Sequence, residues 1–298
     1  MQFANKSSVP HGGYSTATLC NTVRMHMKLN HPRQHNGFAR PVAMQLSFLR
    51  QTNVGSARIE IQDVKLGSRI SVLHVSLSQI SPKGEETLRI MGYMTVSDRV
   101  SEAGISSALC PKPQFIPPPS LPLSLNAQGP GWRKVEIPYP DFRRAARQTE
   151  FYAFEDVRDE WAIVRQWARF RPGGKEGRWT NASVPYLIDL FPITLARMEV
   201  MANAEVRRED TAAGRNTNES TPFWFPTLAL QADYRKELPE EGVEWLYSQV
   251  VLRTLEKGRT IIDVTMMDEA GDSVAVAVQT GLVMAGARNL KTASSVRL

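Results

Sequence analysis

The chain is short of most features that would place it in a class at first sight. It has only two cysteines, Cys20 and Cys110, far apart and outside any Cys/His cluster, which argues against a disulfide framework and against a zinc site. No apolar run approaches the roughly 20 residues a membrane span needs. The opening MQFANKSSVPHGG lacks the apolar core of a secretory leader. The chain is therefore expected to be intracellular, so the Asn-x-Ser triplets at Asn5, Asn181 and Asn218 read as coincidental. The ending Ser295-Val296-Arg297-Leu298 misses the small residue a peroxisomal address carries before its basic one, which leaves the cytosol favoured over the peroxisome. Long blocks of one charge are missing too. The net charge of +6 comes from 36 Lys and Arg interspersed with 30 Asp and Glu, so nucleic acid is not an expected partner, and a phosphate-bearing small molecule suits the balance equally well.

What is present is ordinary globular composition. With 298 residues, 42% of them hydrophobic and 22% charged, the chain can bury two domain-sized cores. Gly12 to Met27 carries apolar residues at Tyr14, Ala17, Leu19 or Cys20, and Val23, the spacing of one helical face, behind a Gly-Gly pair. Glycines at such an entrance serve either tight packing or close approach of a ligand oxygen to backbone N–H groups. His11 before them reads as a surface or capping residue. Residues 41 to 97 then alternate with period two, punctuated by turns at Asn53-Val54-Gly55, Gly67-Ser68 and Pro82-Lys83-Gly84, and predict an antiparallel meander.

Regularity stops between about Ser97 and Phe151. The run from Pro111 to Gly131 is too rich in proline for core structure and reads as an extended connection, while DFRRAAR, from Asp141 to Arg147, reads as a solvated basic face. Residues 151–170 predict strand. Asn203 to Ser220 is polar and reads as an excursion. FPTLALQADYR and the segments from Trp245 to Met284 predict a second meander, with a hairpin turn at Glu269-Ala270-Gly271-Asp272. Helix followed by meander thus occurs twice, and VKLGSRISVLHVSL is echoed by RTLEKGRTIIDVTM with turn glycines at Gly67 and Gly258. That is the mark of a duplicated unit. The boundaries it implies are 1–110, a proline-rich connection over 111–150, and 151–298.

The stretch with chemical promise is VPYLIDLFPITLAR, Val184 to Arg197. Ser183 can cap a short helix, Pro185 suits its first turn, and Pro192 forbids smooth continuation, so Asp189 falls near the last turn. Helix carbonyls and the apolar neighbours Leu187, Ile188, Leu190 and Phe191 would both raise its pKa toward that of a usable general base. A surface Asp capping the following loop is the plain alternative. Strict alternation places Thr227, Ala229, Gln231 and Asp233 on one face of their strand, and Ser273, Ala275, Ala277 and Gln279 on one face of theirs. Such small, partly polar faces either leave room for a water or substrate carbonyl, or face solvent.

At these residues the chain resembles a known family. VPYLIDLFPITLA, FPTLALQADYR and DSVAVAVQTG, in that order, look like the C-terminal half of the acyl-CoA thioesterase II-like, double-hotdog family, and PHGGYSTATL looks like its glycine-led N-terminal helix. The likeness is strongest to the fungal branch found beside biosynthetic genes. It implies an α+β double hotdog, two antiparallel sheets each wrapped around a helix. It also implies hydrolysis of an acyl-CoA or a carrier-bound acyl or polyketide chain, with no cofactor or metal and with edge-to-edge association into a homodimer. By resemblance Asp189, Thr227 and Gln279 hold the hydrolytic water. His11, Gly12, Gly13 and Tyr14 contact substrate, with Gly12 and Gly13 lining a second site. A scaffold that binds or cyclises such a chain without hydrolysing it is the alternative. Where bacterial relatives have Asp-His after the strand Thr, this chain has Ala229 and Leu230. Only nine residues precede Pro10, too few for the usual lead strand, so the first unit is trimmed or Met1 is not its natural start.

Overall fold

The computed structural model describes residues 9–81, 83–98, 103–107, 115–116, 128–129, 132–137, 139–141, 143–154, 161–212 and 223–285. The sequence readings on Asn5, Asn218, Cys110, the C-terminal tetrapeptide and most of the proline-rich run lie outside them.

A helix α1 (Gly12–Asn30) is followed by a four-stranded antiparallel unit, β1 (Arg40–Phe48), β2 (Arg58–Lys65), β3 (Ser71–Ile80) and β4 (Glu86–Ser97), in which β2 to β4 form the meander and β1 lies beside β4. Two short strands, β5 (Gln128–Gly129) and β6 (Trp132–Lys134), lead into β7 (Thr149–Phe154) and β8 (Ile163–Phe170). Then come helices α2 (Val184–Leu187) and α3 (Pro192–Ala212), a two-residue β9 (Phe223–Trp224), and the second meander, β10 (Thr227–Tyr234), β11 (Trp245–Glu256), β12 (Arg259–Met267) and β13 (Ser273–Leu282), closed by β14 (Met284–Ala285).

The sheet order is β2-β3-β4-β1-β10-β13-β12-β11-β8-β7-β6-β5, with every neighbouring pair antiparallel. The two meanders are therefore continuous. They join edge to edge where β1 pairs with β10, Leu46 opposite Leu230, and the hydrogen bonds across that seam remove an exposed edge from each half.

α1 buries the face that runs through Gly13, Thr16, Ala17, Cys20, Val23 and Met27, spaced three and four apart as one side of a helix requires. Leu19, Val23 and Met27 are fully enclosed and contribute about 1.5–3 kcal/mol each by leaving water. Tyr14, expected on this face, points outward and is 45% exposed. The glycines predicted to mark equivalent hairpins do so for different reasons. Gly258 sits at φ +73°, where a side chain would be strained, whereas at Gly67 an added Cβ would lie 2.5 Å from the Ile70 carbonyl.

The short helix stops before Pro192, as expected, and Pro192 also opens α3, since a proline in the first turn lacks only an N–H that has no intrahelical acceptor anyway. The polar stretch read as an excursion from Asn203 is helical through Ala212, its start anchored by buried Met198, Glu199 and Asn203. DFRRAAR is not simply a solvated face either. The Arg143 side chain is only 8% exposed and paired with Glu199 at 2.9 Å.

Candidate active site

Asp189 lies in the four-residue break between α2 and α3, past the end of the short helix rather than inside its last turn. Pro192 fixes that break, and the surrounding Ile188, Leu190 and Phe191 are buried, so the carboxylate is carried inward and is 5% exposed. A surface loop cap is thereby excluded. The Ser183 hydroxyl, expected to cap α2, instead accepts from Thr180 N and donates to Thr180 O.

Two strands bring hydroxyl and amide to the same carboxylate. The Gln279 amide donates to Asp189 Oδ1 and, at 2.9 Å, to Thr227 Oγ1, while the Thr227 hydroxyl donates to Asp189 Oδ1 at 3.4 Å. Strict alternation would have put Thr227 with Ala229, Gln231 and Asp233, but Gln231 and the Asp233 side chain face solvent. The cause is a bulge. Thr227 pairs with Gly281 and Ala229 with Thr280, so Leu228 is an extra residue, and Thr227 turns to the inner side with Leu230, Ala232 and Tyr234. On β13 the small face is the inner one, with Ala275, Ala277 and Gln279 buried and Val276 and Val278 outward.

The glycine pair belongs to this same site, not to a second one. A Cβ on Gly12 would fall 2.6 Å from Asp189 Oδ2, and one on Gly13 would fall 2.5 Å from the Tyr186 carbonyl oxygen and 3.0 Å from the Asp189 Cβ. Only glycine lets the start of α1 close on the break between α2 and α3. The Gly13 N–H donates to His11 Nδ1 at 3.1 Å and also reaches the Asp189 carboxylate. His11 Nδ1 therefore presents a lone pair, and it lies 3.6 Å from Asp189 Oδ2. The Gly12 N–H, at the head of the helix, has no intrahelical acceptor and carries part of the positive end of the helix dipole. Of the four residues expected to contact substrate, His11 and Gly12 line the cavity described below, Gly13 backs it, and Tyr14 lines a separate shallow groove.

Burial raises the pKa of Asp189 above the ordinary carboxylate range, against the opposing pull of His11, the Gly13 N–H, Gln279 and Thr227. The positive end of α1 also lies against this carboxylate. Burial lowers the pKa of His11, with Asp189 opposing, so the imidazole is neutral with its proton on Nε2. Cys20 is no rival nucleophile. Burial pushes its thiol up to about 12.

A cavity of about 370 Å³ opens from this cluster, in the range of small-ligand pockets. Phe48, Phe191, Leu195, Phe225 and Leu282 give it an apolar wall, Asp189, Thr227 and Gln279 stand on its lining, and Arg50 and Arg144 reach it from more exposed positions. Among the described residues the one grouping with metal-ligand geometry is His26, His31 and Asp63. It sits about 20 Å along α1 from Gly12 at 1.5 Å per residue, and each imidazole is hydrogen-bonded to Asp63, at 2.8 and 2.7 Å.

Comparison with known proteins agrees with this architecture over both halves. The model of an acyl-CoA thioesterase N-terminal domain matches residues 3–96, and that of an acyl-CoA thioesterase C-terminal domain matches residues 113–283. The thioesterase-like protein TwmA of Talaromyces wortmannii is 24% identical over 95% of this chain and 86% of its own length. A hot dog fold protein of unknown function from Alicyclobacillus acidocaldarius superposes with a TM-score of 0.64 at 17% identity, covering 95% of this chain and 90% of that one. For a thioesterase II from Thermobifida fusca, so titled provisionally, the values are 0.62, 19%, 93% and 87%.

Proposed function

The chain belongs to the acyl-CoA thioesterase family and is a hydrolase of acyl thioesters; from that premise we propose that Asp189 is the general base for direct attack of water on the thioester carbonyl. Asp189, Thr227 and Gln279 are separated by tens of residues in sequence yet share one hydrogen-bond cluster at the wall of an apolar cavity, and that convergence carries the reading.

The acyl chain occupies the cavity with its carbonyl at the head of α1. Asp189 takes a proton from water as the oxygen attacks the carbonyl carbon, while Thr227 and Gln279 fix the water and the carboxylate against each other. Negative charge develops on the carbonyl oxygen, and the Gly12 N–H with the dipole of α1 receives it. Collapse expels the thiolate, which takes the proton from Asp189. The raised pKa of the carboxylate serves this cycle, because a stronger base takes the water proton more readily.

The leaving group is coenzyme A or a carrier-bound phosphopantetheine, and Arg50 and Arg144 at the exposed side of the cavity suit its phosphates. Thiol release from a panel of acyl-CoAs tests the whole reading. Wild type is expected to release thiol and Asp189→Asn to do so at least a thousandfold more slowly. Equal rates in the two proteins, or none in either, would favour a scaffold that binds or cyclises the chain instead.

A further inference from the structure

The wall of the cavity holds a cation fixed in place with one arm unused. The Arg143 side chain is 8% exposed and lines the cavity. Its Nη2 donates to Glu199 Oε2 at 2.9 Å, and Glu199 Oε1 in turn accepts from the Phe223 N–H at 2.8 Å. The guanidinium also lies 5.9 Å from the Tyr139 ring centroid and 6.0 Å from that of Phe225. The side chain is thereby locked. Its Nη1 is buried and has no hydrogen-bond partner among the described residues.

A buried guanidinium nitrogen without an acceptor is costly, and native proteins rarely leave one unless something else meets it. Everything else around it is arranged to hold the group still, which would serve no purpose if the nitrogen simply lacked a place to go. A cavity water can answer it, and a ligand oxygen that takes the water's place keeps the hydrogen bond. Charge decides which oxygen. Glu199 already neutralises Arg143, so a ligand carboxylate would bring a second, uncompensated negative charge into an apolar enclosure, whereas a ketone or hydroxyl accepts the bond without it.

We propose that Arg143 reads the acyl chain through Nη1, selecting chains that carry a neutral ketone or hydroxyl oxygen away from the thioester over plain saturated ones. The assignment rests on the acyl-thioester reading of the cavity and deepens it, naming a partly reduced, polyketide-like chain as the substrate class.

The test compares octanoyl-CoA with its 5-, 6- and 7-oxo isomers and with the eight-carbon ω-carboxyacyl-CoA. Keeping the oxygen away from C3 leaves the reactivity of the thioester itself unaltered. Wild type is expected to favour at least one oxo isomer by about tenfold or more in kcat/KM, the worth of a hydrogen bond to a charged donor, and to give the diacid no such gain. In Arg143→Met, combined with Glu199→Gln so that no carboxylate is left buried alone, the oxo-to-plain ratio is expected to fall to about one. Equal rates for all oxo isomers and octanoyl-CoA in wild type overturn the proposal, as does a preference that survives in the double variant or one directed at the diacid. If no thioester is hydrolysed, the hydrolase reading fails by itself. Calorimetric binding of the matching non-hydrolysable thioethers to wild type and the double variant then decides, tighter oxo binding lost in the variant upholding the subsite and equal binding overturning it.

Discussion

The N-terminal meander lies in the order β2-β3-β4-β1 and the C-terminal one in the order β11-β12-β13-β10, so each half sets the first strand of its meander at the shared seam. Their helices differ. α1 is continuous over 19 residues, opens on two glycines and has no acidic residue in its first turn. The C-terminal counterpart is split at Asp189, and the split turns a carboxylate toward the head of α1. On the proposed reading the described residues form one site shared by the halves, with base, hydroxyl and amide from one and the positive helix end from the other. A break in a helix exposes backbone and costs stability; here it places the group that needs burial.

The sharpest way to break this division of labour is at the base. Asp189→Asn is expected to lower kcat by about 10³-fold or more while leaving binding of a thioether analogue nearly intact. Next is the contribution of the other half. Gly12→Ala puts a methyl 2.6 Å from Asp189 Oδ2, and a displacement of that order is expected to cost roughly 10²-fold in kcat, though no C-terminal residue has changed. Gln279→Ala, which frees both Asp189 and Thr227, should cost about 10-fold to 10²-fold in kcat at similar KM.

The pH behaviour sharpens the contrast further. Because Asp189 is raised above its unfolded value, the folded protein holds that proton more tightly, and the associated stability is lost as pH rises through the folded pKa. Asp189→Asn should therefore match wild type in thermal melts at acid pH and exceed it by a few degrees, about 2–4 °C per kcal/mol, once the carboxylate is ionised. The acid limb of wild-type kcat/KM should lie above the ordinary carboxylate range for the same reason. The smallest effect is expected at Asp63, the carboxylate bound by His26 and His31 at the other end of α1. Asp63→Asn should remove up to about 1 kcal/mol of stability and leave kcat unchanged.

Much of this was readable in the chain because alternation and turn glycines are local signals. The two meanders, the glycine-led helix and the family likeness all rest on them, and Asp189 stood out as a carboxylate among apolar residues next to a proline. What escaped was decided by packing between distant segments. One extra residue at Leu228 reverses the facing of Thr227, which no count of alternating positions can register. That Gly12 serves the carboxylate of the other half depends on how α1 meets α2. Arg143 looked like one basic residue in a solvated run because its partner, Glu199, lies on a helix far along the chain. That Pro192 also opens α3 went unread for a simpler reason, since a proline that stops one helix is equally suited to begin the next.

Single-turnover hydrolysis in H2¹⁸O, read by mass spectrometry of both the released acid and the peptide containing Asp189, tests direct attack of Asp189-activated water most directly. One heavy oxygen in the acid on the first turnover and none in the Asp189 peptide is the expected result. Heavy oxygen in the Asp189 carboxylate would mean that the residue had been acylated, and would contradict its role as a base acting on water.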